Sequence, residues 1–284
     1  MANAIETIIK MIPVLDEVYK KECVTSVLDG VMKTEWDSSC NKFKVAKMDM
    51  DGLSTYTGEY SDGDVKLTWE EYSPNFNQNT KLKVDAIENE ESAGIVLANL
   101  LGQFEKQKVY PTLDAFRLST YAGKANNTKS EDLTNAKATI TALRTAQVAL
   151  EEKEIDTNNC YVFITPSLYN TIADMDTSTS RAVLSDFAGF IKVPQSRLFT
   201  GGGFVEKKGY QANADSLKLN FVIIDKNKVL QDQKRLMTKI FTPEENQVSD
   251  GYVMPYHRYE IADVLENGKD AVYTSESTTK VISE

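Results

Sequence analysis

The spacing of apolar residues changes several times along this chain. Ile5, Ile8, Ile9 and Ile12 recur at helical intervals until Pro13 interrupts them, and Val14, Leu15, Val18 and Tyr19 begin a second amphipathic turn. A segment this short does not bury its apolar face alone. Two placements fit it: a helix docked on its own domain, and an arm packed on a neighbouring subunit. From Phe43 to Val84 the period falls to two. Phe43, Val45 and Met48 belong to one strand; Val65, Leu67 and Trp69 alternate with Lys66, Thr68 and Glu70 in the next. Residues 50–64 between them are rich in Gly, Asp and Ser, hence turn-prone, and too many for a tight hairpin. A two-stranded hairpin has little core of its own. If it projects, it lies on something else.

The longest helical signal follows. Asp85 with Glu88 reads as a capping box, with Asn89 as an alternative cap. Ala93, Leu97, Leu100 and Phe104 then share one face, which resumes after Pro111 with Leu113, Phe116 and Thr120 and ends at Gly123. This predicts a helical spine of roughly thirty residues, kinked or divided at Pro111, against a mean helix of about 11–12. Residues 126–130 read as a polar linker and a boundary. Ser130 is then the expected cap of a helix carrying Leu133, Ala136, Ile140, Leu143 and Leu150, with Glu131 and Asp132 in its first turn. Tyr161 to Ile164 and Leu219 to Ile224 are short buried strands, and Thr165-Pro166 starts a helix that turns Leu168 and Ile172 inward. Residues 194–218, with Gly201, Gly202 and Gly203, predict a mobile loop, and 228–241 a long edge strand. Residues 259–273 read as a closing hairpin around Asn267-Gly268. The class is α+β with mixed sheets.

Composition narrows the function without naming it. The 284 residues are 41% hydrophobic and carry a formal charge of −10. No basic cluster exceeds three residues, which argues against sequence-specific nucleic-acid binding. No apolar run approaches a membrane span, and no secretory signal opens the chain, so membrane partners are not expected. Cys23, Cys40 and Cys160 are too scattered for a zinc site or a disulfide framework and read as reduced cytoplasmic thiols. His257 is the only histidine, and neither a nucleophile elbow nor an HExxH pair accompanies it. The run Thr200 to Phe204 lacks the Lys-Ser/Thr of a phosphate loop. Asp49, Asp51, Asp62 and Asp64 do not follow the calcium-loop frame. No catalytic residue, cofactor or metal is expected.

The order of elements carries more than any motif. An arm, a long hairpin loop, a spine helix, an α/β domain and closing strands resemble the Hong Kong 97 type of tailed-phage major capsid protein. Particular residues fit a branch common in phages and prophages of low-GC Gram-positive bacteria. They include Val65 to Glu71 and Asn89 to Gly94; Lys108 to Arg117 and Tyr121 to Gly123; and Phe163 to Tyr169 with Ser180-Arg181. Val193 to Arg197, Thr242 to Gln247 and Arg258 to Val264 complete the set.

The resemblance implies an N-terminal arm (1–33), an extended loop with its base (34–80) and a peripheral domain with the spine (81–125), to which 228–249 return. It implies an axial domain (126–227) closed by 250–284. It also implies self-assembly into hexamers and pentamers of an icosahedral or prolate head around double-stranded DNA. Expected partners are further copies of the chain, a portal, a decoration protein where one is used, and packaged DNA in weak, sequence-blind contact through Lys10, Lys20 and Lys21. Assembly is expected in the host cytoplasm, with the mature protein in the virion. Ile5, Ile8, Ile12, Tyr56, Tyr60, Trp69, Phe104 and Phe116 are the expected inter-subunit contacts. The arm begins almost at Met1, so a separate scaffolding protein is expected. Two alternatives stay open: an encapsulin-like compartment shell, and a cytoplasmic α/β enzyme without a recognisable motif. Some relatives cross-link a loop lysine to a neighbouring asparagine; here Ser61 to Asp64 contain no lysine, and Lys47 and Lys66 only flank them. Denaturing electrophoresis of mature particles should therefore show a single monomer band, and a ladder of multimers would refute this expectation.

Overall fold

A computed structural model describes residues 23–29, 42–56, 62–87, 95–175, 177–246 and 250–281. Two layers of sheet are organised around one broken helix. Strands β1 (Phe43–Met50) and β2 (Val65–Tyr72) form an antiparallel ribbon, as their alternation predicts. Strand β3 (Phe76–Asp85) leaves the ribbon and pairs with β11 (Gly251–Val264), whose other edge carries β10 (Val229–Thr238). The long edge strand expected at 228–241 is thus β10. The second sheet has five strands in the order β4 (Asn127–Ser130), β12 (Val272–Lys280), β9 (Leu217–Asp225), β5 (Cys160–Ile164) and β6 (Gly189–Lys192).

The five-stranded sheet is buried on both faces, which explains why β5 and β9 read as unbroken apolar runs. On one face, Val162, Ile164, Phe221 and Ile223 meet Ile140, Leu143 and Leu150 of α3 (Ala136–Glu151), Ile172 of α4 (Pro166–Asp174) and Val183 of α5 (Ser178–Ser185). On the other, Phe163, Val222, Ile224 and Val272 meet Leu118, Tyr121 and Ala122 of the spine.

The spine is α1 (Ile95–Phe104), a π-helical turn Glu105–Val109, and α2 (Tyr110–Gly123). The wide turn stands immediately before Pro111. Proline has no N–H to give the Gln107 carbonyl, and its ring crowds that oxygen; a π turn absorbs the break without ending the helix. At the spine's beginning the Asp85 carboxylate accepts from Ile87 N–H at 2.9 Å, while Glu88, Asn89 and Ala93 lie outside the described residues.

Three expectations are corrected. Residues 127–130 are not a linker, and Ser130 is not a cap: they form β4, parallel to β12 from Tyr273↔Asn127 to Glu276↔Ser130. Glu131 and Asp132 accept from Ser275 (3.0 Å) and Ser277 (2.7 Å) of β12, so they fasten an edge strand instead of opening a helix. The true cap is Asn135, which accepts from Ala138 N–H at 2.9 Å. The interval 194–218 is not a featureless loop. Arg197, Leu198 and Phe199 are buried, and a hairpin of β7 (Gly203–Val205) and β8 (Gly209–Gln211) sets the rings of Phe204 and Tyr210 against Phe116, each 5.6 Å away. Its polar composition concealed a few aromatic anchors.

The closing hairpin is absent as well. β11 and β12 belong to different sheets, and Asn267-Gly268 lie in a single 3-10 turn, Glu266–Ala271, that crosses between them. Gly268 passes close to the backbone of Lys228, where a Cβ would stand 2.7 Å from the carbonyl oxygen. Here glycine is required for a close approach rather than for a two-residue turn.

Candidate functional site

The ribbon is two-faced by register. Ala46↔Trp69, Met48↔Leu67 and Met50↔Val65 put six apolar residues on one side, closed at the base by the Lys44–Glu71 ion pair at 3.1 Å. Exposure on this stripe runs from 50% at Leu67 to 65% at Met50, with Trp69 at 58%. The opposite side carries Lys47↔Thr68 and Asp49↔Lys66, and Lys47 reaches Glu70 at 3.7 Å. Lys44 first, and then Lys42, hold the Glu71 carboxyl below its ordinary range by hydrogen bonding and charge. The ribbon extends about 25 Å for its eight paired residues, and nothing among the described residues covers its apolar side.

Only the base is secured. Tyr72, with Val45, packs on Leu230, Ile261 and Leu265 of the three-stranded sheet. The Tyr72 hydroxyl donates to Glu70 at 2.8 Å and accepts from Glu266 N–H at 3.1 Å. Asn75 holds both the N–H and the carbonyl of Ala262. Two-residue periodicity therefore places one apolar class, Tyr72 and Val45, on the fold and leaves the other in solvent.

A second construction lies beneath the same sheet. The Asp114 carboxylate, fully buried in α2, accepts from Val24 N–H (3.1 Å), Thr25 N–H (3.0 Å), Thr25 Oγ1 (2.9 Å) and Cys23 Sγ (3.2 Å), and Arg197 Nη1 closes on it at 2.8 Å. One turn on, Arg117 donates to Glu260 at 3.1 Å and to Thr25 Oγ1 at 3.0 Å, and meets Asp29 at 3.3 Å. Arg258 holds the other Glu260 oxygen at 2.6 Å. Gln231 accepts from the Tyr121 hydroxyl and donates to the Thr25 carbonyl and Asp29. Burial and the Asp114 charge push the Cys23 thiol up to about 11, so it stays a protonated donor. The segment 23–29, the end of the expected arm, is thereby clamped to the spine. Hydrophobic patterning cannot detect such a clamp; the available signal was Asp114, Arg117 and Tyr121 at intervals of three and four along α2.

The expected contact residues divide accordingly. Trp69 lies on the exposed stripe, and Tyr56, 68% exposed, stands beyond it near the tip. Phe104 is engaged within the chain, edge-on to Tyr256 at 5.2 Å. Phe116 is buried in the core with Phe76 and Phe204 and is not displayed for a partner. Ile5, Ile8, Ile12 and Tyr60, together with Lys10, Lys20 and Lys21, lie outside the described residues. Among the described residues no cluster of His, Cys, Asp and Glu is arranged to hold a metal, and no helix is long and apolar enough to cross a membrane. His257 sits on β11 with Nε2 2.8 Å from Asn77 Oδ1.

This arrangement is the Hong Kong 97 type of fold, seen also in solved phage capsid structures. No family model matches the sequence, and no curated protein is similar to it. Solved structures are similar in shape. A structure from Mycobacterium phage Che8 superposes with a TM-score of 0.67 at 13% identity, over 96% of this chain and 98% of the other. The capsid structure of cyanophage P-SCSP1u gives 0.65 at 12% identity, over 96% and 94%. The mature capsid of bacteriophage PhiM1 gives 0.64 at 10% identity, over 86% and 84%.

The clamp yields a direct test. Asp114→Ala would strand the Arg197 cation and the two arm N–H groups in a buried site, and is expected to cost about 3–5 kcal/mol. Chemical denaturation should show this loss, with faster hydrogen exchange at Val24 and Thr25. An unchanged midpoint would refute the clamp.

Proposed function

We propose that this chain is the major capsid protein of a tailed bacteriophage, assembling into hexamers and pentamers of a head that encloses double-stranded DNA. The observation that carries the reading is the ribbon: an ordered, solvent-exposed apolar stripe, on a fold shared with phage capsid structures over nearly the whole chain. Full burial of a large apolar side chain is worth about 1.5–3 kcal/mol. Five such residues supply the driving force of an interface that no part of the described chain provides. Each single contact can stay weak, because a closed shell repeats it. The function is structural, and no catalytic residue is assigned.

The domain division supports the same reading with one change from the sequence boundaries. The proposed peripheral part comprises β3, the spine, β10 and also β11, which share one sheet. The proposed axial part comprises the five-stranded sheet with α3, α4 and α5. Residues 1–33 are the proposed arm, anchored through 23–29. Further proposed partners are a separate scaffolding protein, the portal and, where used, a decoration protein, with assembly in the host cytoplasm.

The test is expression together with the genes that flank this one, followed by sedimentation and electron microscopy. Wild type should give closed particles. A Leu67→Asp/Trp69→Asp variant should fold with unaltered circular dichroism, since surface changes usually alter stability by about 0.5 kcal/mol or less, yet yield none. Particles at wild-type yield from the variant would remove the ribbon from the account. A wild-type chain that stays monomeric and shows a catalytic activity would favour the enzyme alternative.

A further inference from the structure

Asn267-Gly268 is the single Asn-Gly pair of this chain, and it stands in the 3-10 turn Glu266–Ala271 that carries β11 across to β12. Such a pair has a chemistry of its own. The glycine nitrogen, once it gives its proton to a base, attacks the side-chain carbonyl carbon of the asparagine. Ammonia leaves, and the succinimide ring so formed takes up water to give aspartate or isoaspartate. Glycine has no Cβ to hinder the attack. Asn267 is exposed, so water and base reach it freely.

The fold holds the other reactant back. Gly268 is buried, its N–H donates to the Leu265 carbonyl at 2.8 Å, and the Lys228 backbone closes over its Cα. A nitrogen bonded in this way keeps its proton, and a 3-10 backbone does not turn it toward the preceding side chain as ring closure requires. The turn itself is fastened from several sides. Leu265 N–H reaches the Lys228 carbonyl at 3.0 Å, and Glu266 N–H reaches the Tyr72 hydroxyl, at the ribbon's base, at 3.1 Å. From the start of β4, Asn126 N–H donates to the Lys269 carbonyl (3.1 Å) and Asn127 Nδ2 to the Asp270 carbonyl (2.8 Å). The Asp270 carboxylate takes Lys153 Nζ at 2.6 Å and Asn126 Nδ2 at 3.1 Å.

We propose that Asn267 is a latent deamidation site, silent while Tyr72 and Asp270 pin the crossover turn and reactive when that turn opens. Local opening, not global unfolding, then sets its rate. The two products differ in what they do to the fold. Isoaspartate adds a methylene to the main chain beside Gly268, where the Lys228 backbone leaves no room; aspartate keeps the backbone as it is. A chain that opens and forms isoaspartate therefore loses the path from β11 to β12. This chemistry is independent of the shell reading and goes beyond it.

The experiment follows amide-to-acid conversion at Asn267 by peptide mass spectrometry, in mildly alkaline buffer, for the full chain folded and in guanidinium. Enzymatic methylation of isoaspartate distinguishes the two products. The folded chain should convert about a hundredfold more slowly, as expected for a turn that opens rarely. Tyr72→Phe should speed conversion in the folded chain about fivefold, the weight of one lost hydrogen bond, with the rate in guanidinium unchanged. If Tyr72→Phe melts clearly below wild type, Lys153→Ala is measured in its place, with acceleration again expected. Chain aged in guanidinium and then refolded should carry aspartate but little isoaspartate in its folded fraction. Equal rates in folded and denatured wild type, a wild-type rate in the variant measured, or isoaspartate kept at full level after refolding would each overturn the proposal.

Discussion

A two-stranded ribbon has two faces, and this fold offers a core to only one end of one of them. Tyr72 and Val45 take that place, and every later apolar residue on the other side is left in water. The rest of the molecule is arranged to hold the ribbon out: Asn75 fixes the turn into β3, Glu266 and Glu70 fix the Tyr72 hydroxyl, and the three-stranded sheet gives a rigid floor. An exposed apolar stripe on an ordered element is a liability for an isolated protein. It makes physical sense when a second copy covers it.

Rigidity of the floor comes from polar chemistry more than from apolar area. Asp114 and Arg117 project from the spine into a site with almost no solvent, and each is satisfied by several partners. Burial of such charges is costly, and a fully paired cluster at best offsets that cost. What it supplies here is definition: Thr25 is held by Asp114, Arg117 and Gln231 at once, which fixes the segment 23–29 on the spine. The π turn before Pro111 is the contrasting element. It loosens the hydrogen-bond ladder at one place in the spine, between the half that carries the clamp and the half that carries Phe104.

Much of this was legible in the sequence because period and burial agree. Val65, Leu67 and Trp69 alternate as a one-sided strand should, and Phe163 and Val222 lie in runs buried on both faces. The failures have a common physical cause, which is that tertiary pairing overrides local chemistry. Ser130 and Glu131 look like a helix start, yet β12 supplies better partners for them. Asn267-Gly268 looks like a hairpin turn, yet β11 is claimed by two other strands. Phe116 looks like a contact residue until the Phe204–Tyr210 hairpin is seen to cover it. The clamp as a whole escaped for another reason: beyond the polar residues of α2, its members are scattered from Cys23 to Glu260 and meet only in three dimensions.

In the proposed shell the apolar stripe of the ribbon is buried by another copy. Met48 and Met50 report on it directly, since both side chains lie on the stripe and a thioether oxidises according to its exposure. Brief peroxide or hydroxyl-radical oxidation of dispersed subunits and of assembled particles, read by mass spectrometry, measures the difference. Both residues should oxidise rapidly in subunits and be protected about tenfold in particles, as expected when the side chains leave solvent. Equal rates in the two states would contradict that burial.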